Sequence, residues 1–256
     1  MKQKLDDIRL VVARCIYNEE SFIFPSMTSQ KKITDVDMTY IADGSWNSAN
    51  KFPYSTDGTR TITKLFPNVK WMGCQKHYES EAEKRNKLIQ WIEQEDTPTW
   101  VLVLDGDEEI IFRDQVYHDQ FLPSDKTIAL KPYLQTLDAD CDFVIMESFP
   151  QNQNKRHPLE YHQLRLFKAG KGIYWDKIFP MRYVDSKGNI LMDYSENHWL
   201  LGKKHAYYHN LVIRNKWFLR DPERVKMTQK WLAERAQKVW LKERTDAEKS
   251  GQNMFF

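Results

Sequence analysis

Between residues 8 and 110 the chain alternates short apolar runs with stretches of helical spacing, and no other feature restricts its fold as strongly. "IRLVVARC" (8–15) is too uniformly apolar to alternate between a wet and a dry face, so it reads as a strand buried on both sides. "VDMTYIAD" (36–43), "NVKWMGC" (68–74) and "TWVLVLDGD" (99–107) read as further strands. Residues 18–32 read as helical, with Pro25 inside the stretch. Asp57 before "GTRTITKLF" predicts a helix N-cap, and Pro67 stops that helix. In "ESEAEKRNKLIQWIEQ" (79–94), Ala82, Leu88, Ile89 and Ile92 fall near helical spacing and predict an amphipathic helix. Such alternation builds an α/β fold: a mostly parallel sheet, right-handed crossovers, helices on its faces.

Beyond residue 125 the pattern changes. "DFVIMESF", "YHQLRLFKAG", "GIYWDKIFPMRYV" and "KKHAYYHNLVI" read as strands with few helices between them, and "DSKGN" (185–189) is a hairpin-type turn. A long helix then opens with Asp221 as N-cap and Pro222 at its first position, and sets Val225, Leu232, Ala236, Val239 and Trp240 on one side. The expected organisation is one domain over residues 1–215, its first half ending at about 125, followed by a helical extension over 216–256.

A length of 256 residues with 41% hydrophobic residues suits such a domain. Net charge is +2, so no general field draws the chain to nucleic acid or a membrane surface. The longest plainly apolar run, "WVLVL", is far short of the ~20 residues a membrane span needs. "MKQKLDDIRL" carries no apolar signal segment, and three scattered cysteines give neither a disulfide framework nor a zinc cluster. A cytoplasmic setting is the expectation.

The fourth strand ends in four acids within five residues: Asp105, Asp107, Glu108 and Glu109. A buried strand has no structural need for like charge at its tip, whereas ligands of open parallel sheets bind just beyond the carboxyl ends of the strands. Asp-x-Asp at that edge suits a hard divalent cation that shares oxygen ligands with a diphosphate. Gly106 permits a tight turn that lets both carboxylates face one pocket. An exposed acidic turn, with Glu108 and Glu109 merely solvating the loop, is the plain alternative.

Four segments in order resemble glycosyltransferase family 2, the inverting nucleotide-sugar enzymes of GT-A fold. "VVARCIYNEE" resembles the first strand and its loop, "YIADGS…STDGT" the second strand, "EKRN" the helix segment before the metal strand, and "VLVLDGDE" the Asp-x-Asp strand. Further on, "RLFKAGKGIYW" resembles a weaker segment leading to the acceptor side. The resemblance implies a nucleotide-sugar donor, UDP-linked by expectation, a carbohydrate acceptor, and Mn2+ or Mg2+ as cofactor. It places Asp43 on the donor's base or ribose, Arg85 on the nucleotide or pyrophosphate, and Tyr17 over the base. Asp105 would lie toward ribose and metal, Asp107 would bind the metal directly, and His209 would complete the metal site. The helix-pinning of Asn86 to nearby backbone is an alternative to any ligand contact. Two departures stand out: the usual double aspartate is Ala42-Asp43 here, and residues 46–56 separate Ser45 from Asp57 where the family pattern has about one residue.

An inverting transfer needs a base for the acceptor hydroxyl. Asp176 in "GIYWDKIF" and Glu147 in "VIMESF" are the candidates, with Glu160 as a third. Most of the late aromatics, Trp175, Trp199, Tyr207, Tyr208, Trp217 and Phe218, are expected to fill cores. Trp231 and Trp240 on the last helix would pack on the domain or form a homodimer through that helix. Two other functions compete. A sugar-nucleotidyltransferase would carry a glycine-rich loop after the first strand, which "ARCIYNEE" lacks. A non-catalytic carbohydrate-binding protein would not need Asp105 and Asp107.

Overall fold

The computed structural model describes residues 8–46, 50–95, 99–113, 125–152, 155–156, 161–171, 173–175, 183–185, 187, 189–192, 204–216, 226 and 230, with backbone alone at 149–152, 155–156, 161–162 and 190–192. The first half runs β1 (Arg9–Ile16), α1 (Glu20–Gln30), β2 (Met38–Asp43), α2 (Thr59–Thr63), β3 (Val69–Met72), α3 (Glu81–Glu93), β4 (Thr99–Asp105) and β5 (Glu108–Phe112). Then come α4 (Lys131–Thr136), β6 (Phe143–Asn152), β7 (Lys155–Arg156), β8 (Tyr161–Lys168), β9 (Tyr174–Trp175), β10 (Tyr183–Val184), β11 (Ile190–Met192) and β12 (His205–Asn215).

The main sheet has the order β3-β2-β1-β4-β8-β6-β12-β5. Its first four strands are parallel, as the strand–helix alternation predicts. Beyond β4 the sheet continues with an antiparallel β8, then β6 and β12 parallel to each other, then β5 antiparallel to β12 at the far edge. This is the expected α/β class, with the parallel half carrying the crossovers. Both faces are dry. Val11, Val101 and Val103 pack with Leu88, Ile89 and Ile92 of α3, while Leu10, Val12 and Leu102 pack with Leu130 and Leu134 around α4.

Local chemistry sets the helix ends. Ser80 caps α3 by accepting from Glu83 N at 3.0 Å. No side-chain bond caps α1 from its own first residue; instead the next loop reaches back, Thr59 Oγ1 accepting from Glu19 N at 2.7 Å and Asp57 from Glu20 N at 3.0 Å. Asp57 also accepts from Thr59 N, so it joins two helix starts, and the residue capping α2 is Gly58. The "DSKGN" turn forms between β10 and β11, with Asp185 accepting from the backbone of Lys187 and Asn189. The predicted last helix lies outside the described residues, apart from Lys226 and Lys230, both helical. Among the described residues no helix is long and apolar enough to cross a membrane.

Candidate functional site

The carboxyl ends of β1, β2, β3 and β4 share one edge, and the loops there are stapled to one another. Lys84 of α3 is buried and donates to the carbonyls of Ile16 (3.2 Å) and Gly44 (2.8 Å), tying β1 to β2. Gly44, at φ +154°, has no room for a Cβ against Tyr78 and Cys74. Asp105 ends β4, next to β1 in the sheet, and Gly106 and Asp107 make the turn into β5. Gly106 serves there by close approach rather than by backbone freedom: a Cβ would meet Glu19 Cγ at 2.6 Å and Ile16 Cγ2 at 3.1 Å. The Tyr-Asn-Glu-Glu loop therefore lies directly on the acidic turn.

The four acids of the turn are neither exposed nor unpaired with the rest of the fold. Arg85 donates to Asp105 at 2.8 Å and to Glu81 at 2.7 Å, and lies over the Trp175 ring. Burial opposes the charge on Asp105, but Arg85 outweighs it and holds the carboxyl below its ordinary range. Burial likewise opposes the charge of Arg85, and Asp105 and Glu81 together keep it protonated well above its ordinary value. Glu108 is fully buried and receives a bidentate pair from Arg165, at 2.6 and 3.0 Å, plus bonds from Asp105 N and Asn215. Burial still pushes Glu108 upward. A register shift in the β6–β8 pairing sits beside Arg165, which lets it turn toward Glu108. Glu109 pairs with Arg214 and Lys216; burial opposes its charge, and those two cations hold it below its ordinary range. The reading of Glu108 and Glu109 as loop-solvating acids is thus overturned: they lock β5 to β8 and β12. Asp107 is buried too, at 3% exposure.

The remaining expected residues fall as follows. Tyr17 donates to the Phe52 carbonyl at 3.1 Å and so anchors the 46–56 insertion. Asp43 is fully buried under that insertion, with Ser55 donating its hydroxyl (2.5 Å) and its backbone N–H (3.2 Å). Burial raises the Asp43 carboxyl despite the bonds from Ser55 and the charges of Lys84 and Arg60. Asn86 pins α3 to the Trp175 backbone through both amide atoms, 2.9 and 2.8 Å. Trp175 and Tyr208 are buried, as expected of core aromatics, whereas Tyr207 is exposed. Arg214 pairs with Glu109.

His209 lies where the β6–β12 register shifts, its side chain 58% exposed, 3.9 Å from Glu147 and 3.4 Å from Arg113. Among the described residues no three of His, Cys, Asp and Glu gather to hold a metal, so Asp105, Asp107 and His209 do not form the expected set. Glu147 pairs with Arg113 at 2.5 Å. It occupies the same face of the sheet as Asp105, by alternation from Ile145 and Val103 in one core cluster. Asp176, Glu160 and the late residues Trp199, Trp217, Phe218, Trp231 and Trp240 lie outside the described residues. A cavity of about 400 Å³ lined by Met27, Ile33, Met38 and Phe66 opens at the opposite, amino end of β2, away from this chemistry.

Sequence reading passed over Arg14, Lys84, Arg165, Glu81 and Ser55. Only Arg14 carried a local signal, as a charge in the middle of "RLVVARCI", whose other charge, Arg9, stands at its start.

Comparison with solved structures finds partial likenesses. S. aureus TarS 1-349 in complex with UDP is 18% identical, with a TM-score of 0.41 over 59% of this chain and 38% of that one. The mannosyltransferase PcManGT from Pyrobaculum calidifontis, in complex with GDP-Man and Mn2+, is 16% identical, with a TM-score of 0.35 over 54% and 35%. A 4-diphosphocytidyl-2C-methyl-D-erythritol synthase is 13% identical, with a TM-score of 0.43 over 88% and 99%. The chain spans well under half the length of the first two. No family model matches, and no curated protein matches. The functional reading therefore stands on the site's own residues.

Proposed function

We propose that this chain is a glycosyltransferase of GT-A type that moves a sugar from a nucleoside-diphosphate donor, UDP-linked by preference, to an acceptor hydroxyl with inversion. One observation carries the reading: Asp105 at the end of β4 and Asp107 in the two-residue turn after it sit at the carboxyl edge of the parallel strands, framed by buried cations. A structural turn of the same kind would gain stability from apolar residues.

The donor set fits a divalent ion. Mg2+ and its like are bound through one or two carboxylates plus substrate phosphates and water, so a three-residue protein cluster is not required. Asp105 and Asp107 would hold Mn2+ or Mg2+, which stabilises charge on the departing diphosphate when bound. Arg85 fixes the Asp105 carboxylate, and Glu108 fixes the turn through the Asp105 N–H. Asp43 shapes the donor side through Ser55, and Tyr17 through Phe52.

In the transfer the acceptor oxygen bonds to the anomeric carbon as the bond to the phosphate oxygen breaks, and that electron pair leaves with the diphosphate. The hydroxyl proton passes to a carboxylate, Glu147 or Asp176. Glu147 shares the face of Asp105 but must first release Arg113. Replacing the true base by its amide costs about 10²–10⁴-fold in rate. Nucleoside-diphosphate release from a panel of UDP-sugars separates the two candidates: the dead variant, Glu147→Gln or Asp176→Asn, marks the base. Full activity in both places the base elsewhere.

A further inference from the structure

Arg14 stands in the middle of the apolar β1 and is fully buried. Its face is that of Leu10 and Val12, which pack with Leu130 and Leu134. Nη1 donates to Ser26 Oγ at 2.7 Å and to the Asp105 carbonyl at 2.9 Å. Nε donates to Gln30 Oε1 at 3.1 Å, and Nη2 to the Ser26 carbonyl at 3.3 Å. Gln30 is itself held, donating to Thr39 Oγ1 at 2.7 Å. Ser26 Oγ donates its own hydrogen bond to the Glu108 carbonyl, and Ser29 Oγ accepts from Ile110 N at 2.9 Å. The guanidinium thus joins α1 to both sides of the acidic turn.

None of these acceptors is a carboxylate. A buried cation without a direct counter-ion is expensive, and an apolar side chain of similar volume would serve stability as well or better. Burial lowers the Arg14 pKa to about 10, with Glu108 and Asp105 compensating only in part. Packing therefore does not explain an arginine here. What arginine alone supplies is a rigid fork that reaches four acceptors in fixed directions.

We propose that Arg14 is a positioning residue: by clamping the Asp105 carbonyl directly and the Glu108 carbonyl through Ser26, it fixes how the turn presents Asp105 and Asp107. Its effect on metal and donor rests on the glycosyltransferase reading; its effect on the turn does not. Arg85 grips the same turn from the α3 side by its carboxylate, and Arg14 from the α1 side by its backbone.

The test compares the parent with Arg14→Met, Arg14→Lys and Ser26→Ala. Amide hydrogen exchange is read at Asp105 and Ile110, with Tyr40 and Ile41 of β2 as reference, and Mn2+-dependent UDP affinity is measured beside it. Arg14→Met is expected to speed exchange at Asp105 and Ile110 by tenfold or more, leave the β2 amides unchanged, and weaken Mn2+–UDP binding by a similar factor. Arg14→Lys should recover only part, because an ammonium cannot bridge Ser26, Gln30 and Asp105 together. Ser26→Ala, which keeps the core charge, should move the same amides less; it carries the test if Arg14→Met does not fold. Parent-like exchange at the turn in the folded variants overturns the proposal. Altered exchange with a parent that binds no Mn2+–UDP sinks the donor reading and leaves Arg14 its role in the turn.

Discussion

Two ion clusters flank the parallel half of the sheet, and they differ in what they are surrounded by. Toward the amino edge, Glu95 accepts from Lys70 at 2.6 Å, pairs with Arg9 at 2.7 Å and takes the Tyr40 hydroxyl. Tyr40 is buried, but the charged groups are partly wet, with Lys70 43% exposed. At the carboxyl edge, Glu108, Arg165, Arg85 and Asp105 make equally short pairs, but nearly all of them are buried. A wet cluster can be lost and re-solvated cheaply. A dry one cannot, because each charge depends on its partner to offset desolvation. The amino-edge cluster closes the sheet against α3, whereas the carboxyl-edge cluster holds charge in fixed directions around two aspartates, at a cost that folding alone does not justify.

Breaking the dry cluster should give the largest effect. Arg165→Met leaves Glu108 buried without its bidentate partner, and about 3–5 kcal/mol of stability should disappear in urea unfolding. A loss under about 1 kcal/mol would put the two clusters on a par and remove the contrast. Next comes Asp43→Ala, which strands the Ser55 donors beneath the insertion. That should cost about 1–3 kcal/mol and loosen the 50–56 segment to proteolysis. Ser55→Ala should reproduce the loosening if Asp43 acts through that residue; a Ser55 variant with parent-like cleavage would separate Asp43 from the loop.

The wet cluster should give the smallest effect, with a pH signature. Bonds from Lys70 and Tyr40 pull the Glu95 pKa down to about 2. A depressed carboxylate contributes stability above its unfolded pKa of about 4.3 and loses it as pH falls toward the folded value. Glu95→Gln should therefore cost no more than about 1 kcal/mol at neutral pH. It should also flatten the decline in stability between about pH 4 and pH 2. An acid limb identical to the parent's would remove Glu95 as its source.

Legibility in the sequence follows the range of the interactions. Strands β1 to β4 and helix α3 were readable because burial on both faces and helical spacing are local patterns; β1 fell at Arg9–Ile16 against an expected 8–15. The Asp185 turn was readable for the same reason, whereas Asn86 was expected to pin nearby backbone and instead holds Trp175, 89 residues on. The partners of the acids were not. Arg165 lies 57 residues from Glu108 and Arg214 lies 105 from Glu109, so nothing near the acids announced that they would be paired. His209 was placed by resemblance with the metal, but the shift in β12 register sets it beside Glu147. The alternative of an exposed acidic turn fails at Asp107 as well, which is buried where β4 turns into β5.

The central claim is that the acidic turn binds a nucleoside diphosphate through a divalent cation. Thermal unfolding of the parent and of Asp107→Ala, each with UDP, GDP, dTDP or CDP and with or without Mn2+, tests it most directly. A ligand at a hundred times its dissociation constant stabilises the form it binds by about 2.7 kcal/mol. The account predicts such a shift for the parent with UDP and Mn2+ together, little with either alone, and none for Asp107→Ala. An equal shift in the variant, a shift independent of Mn2+, or none with any of the four nucleotides would contradict it.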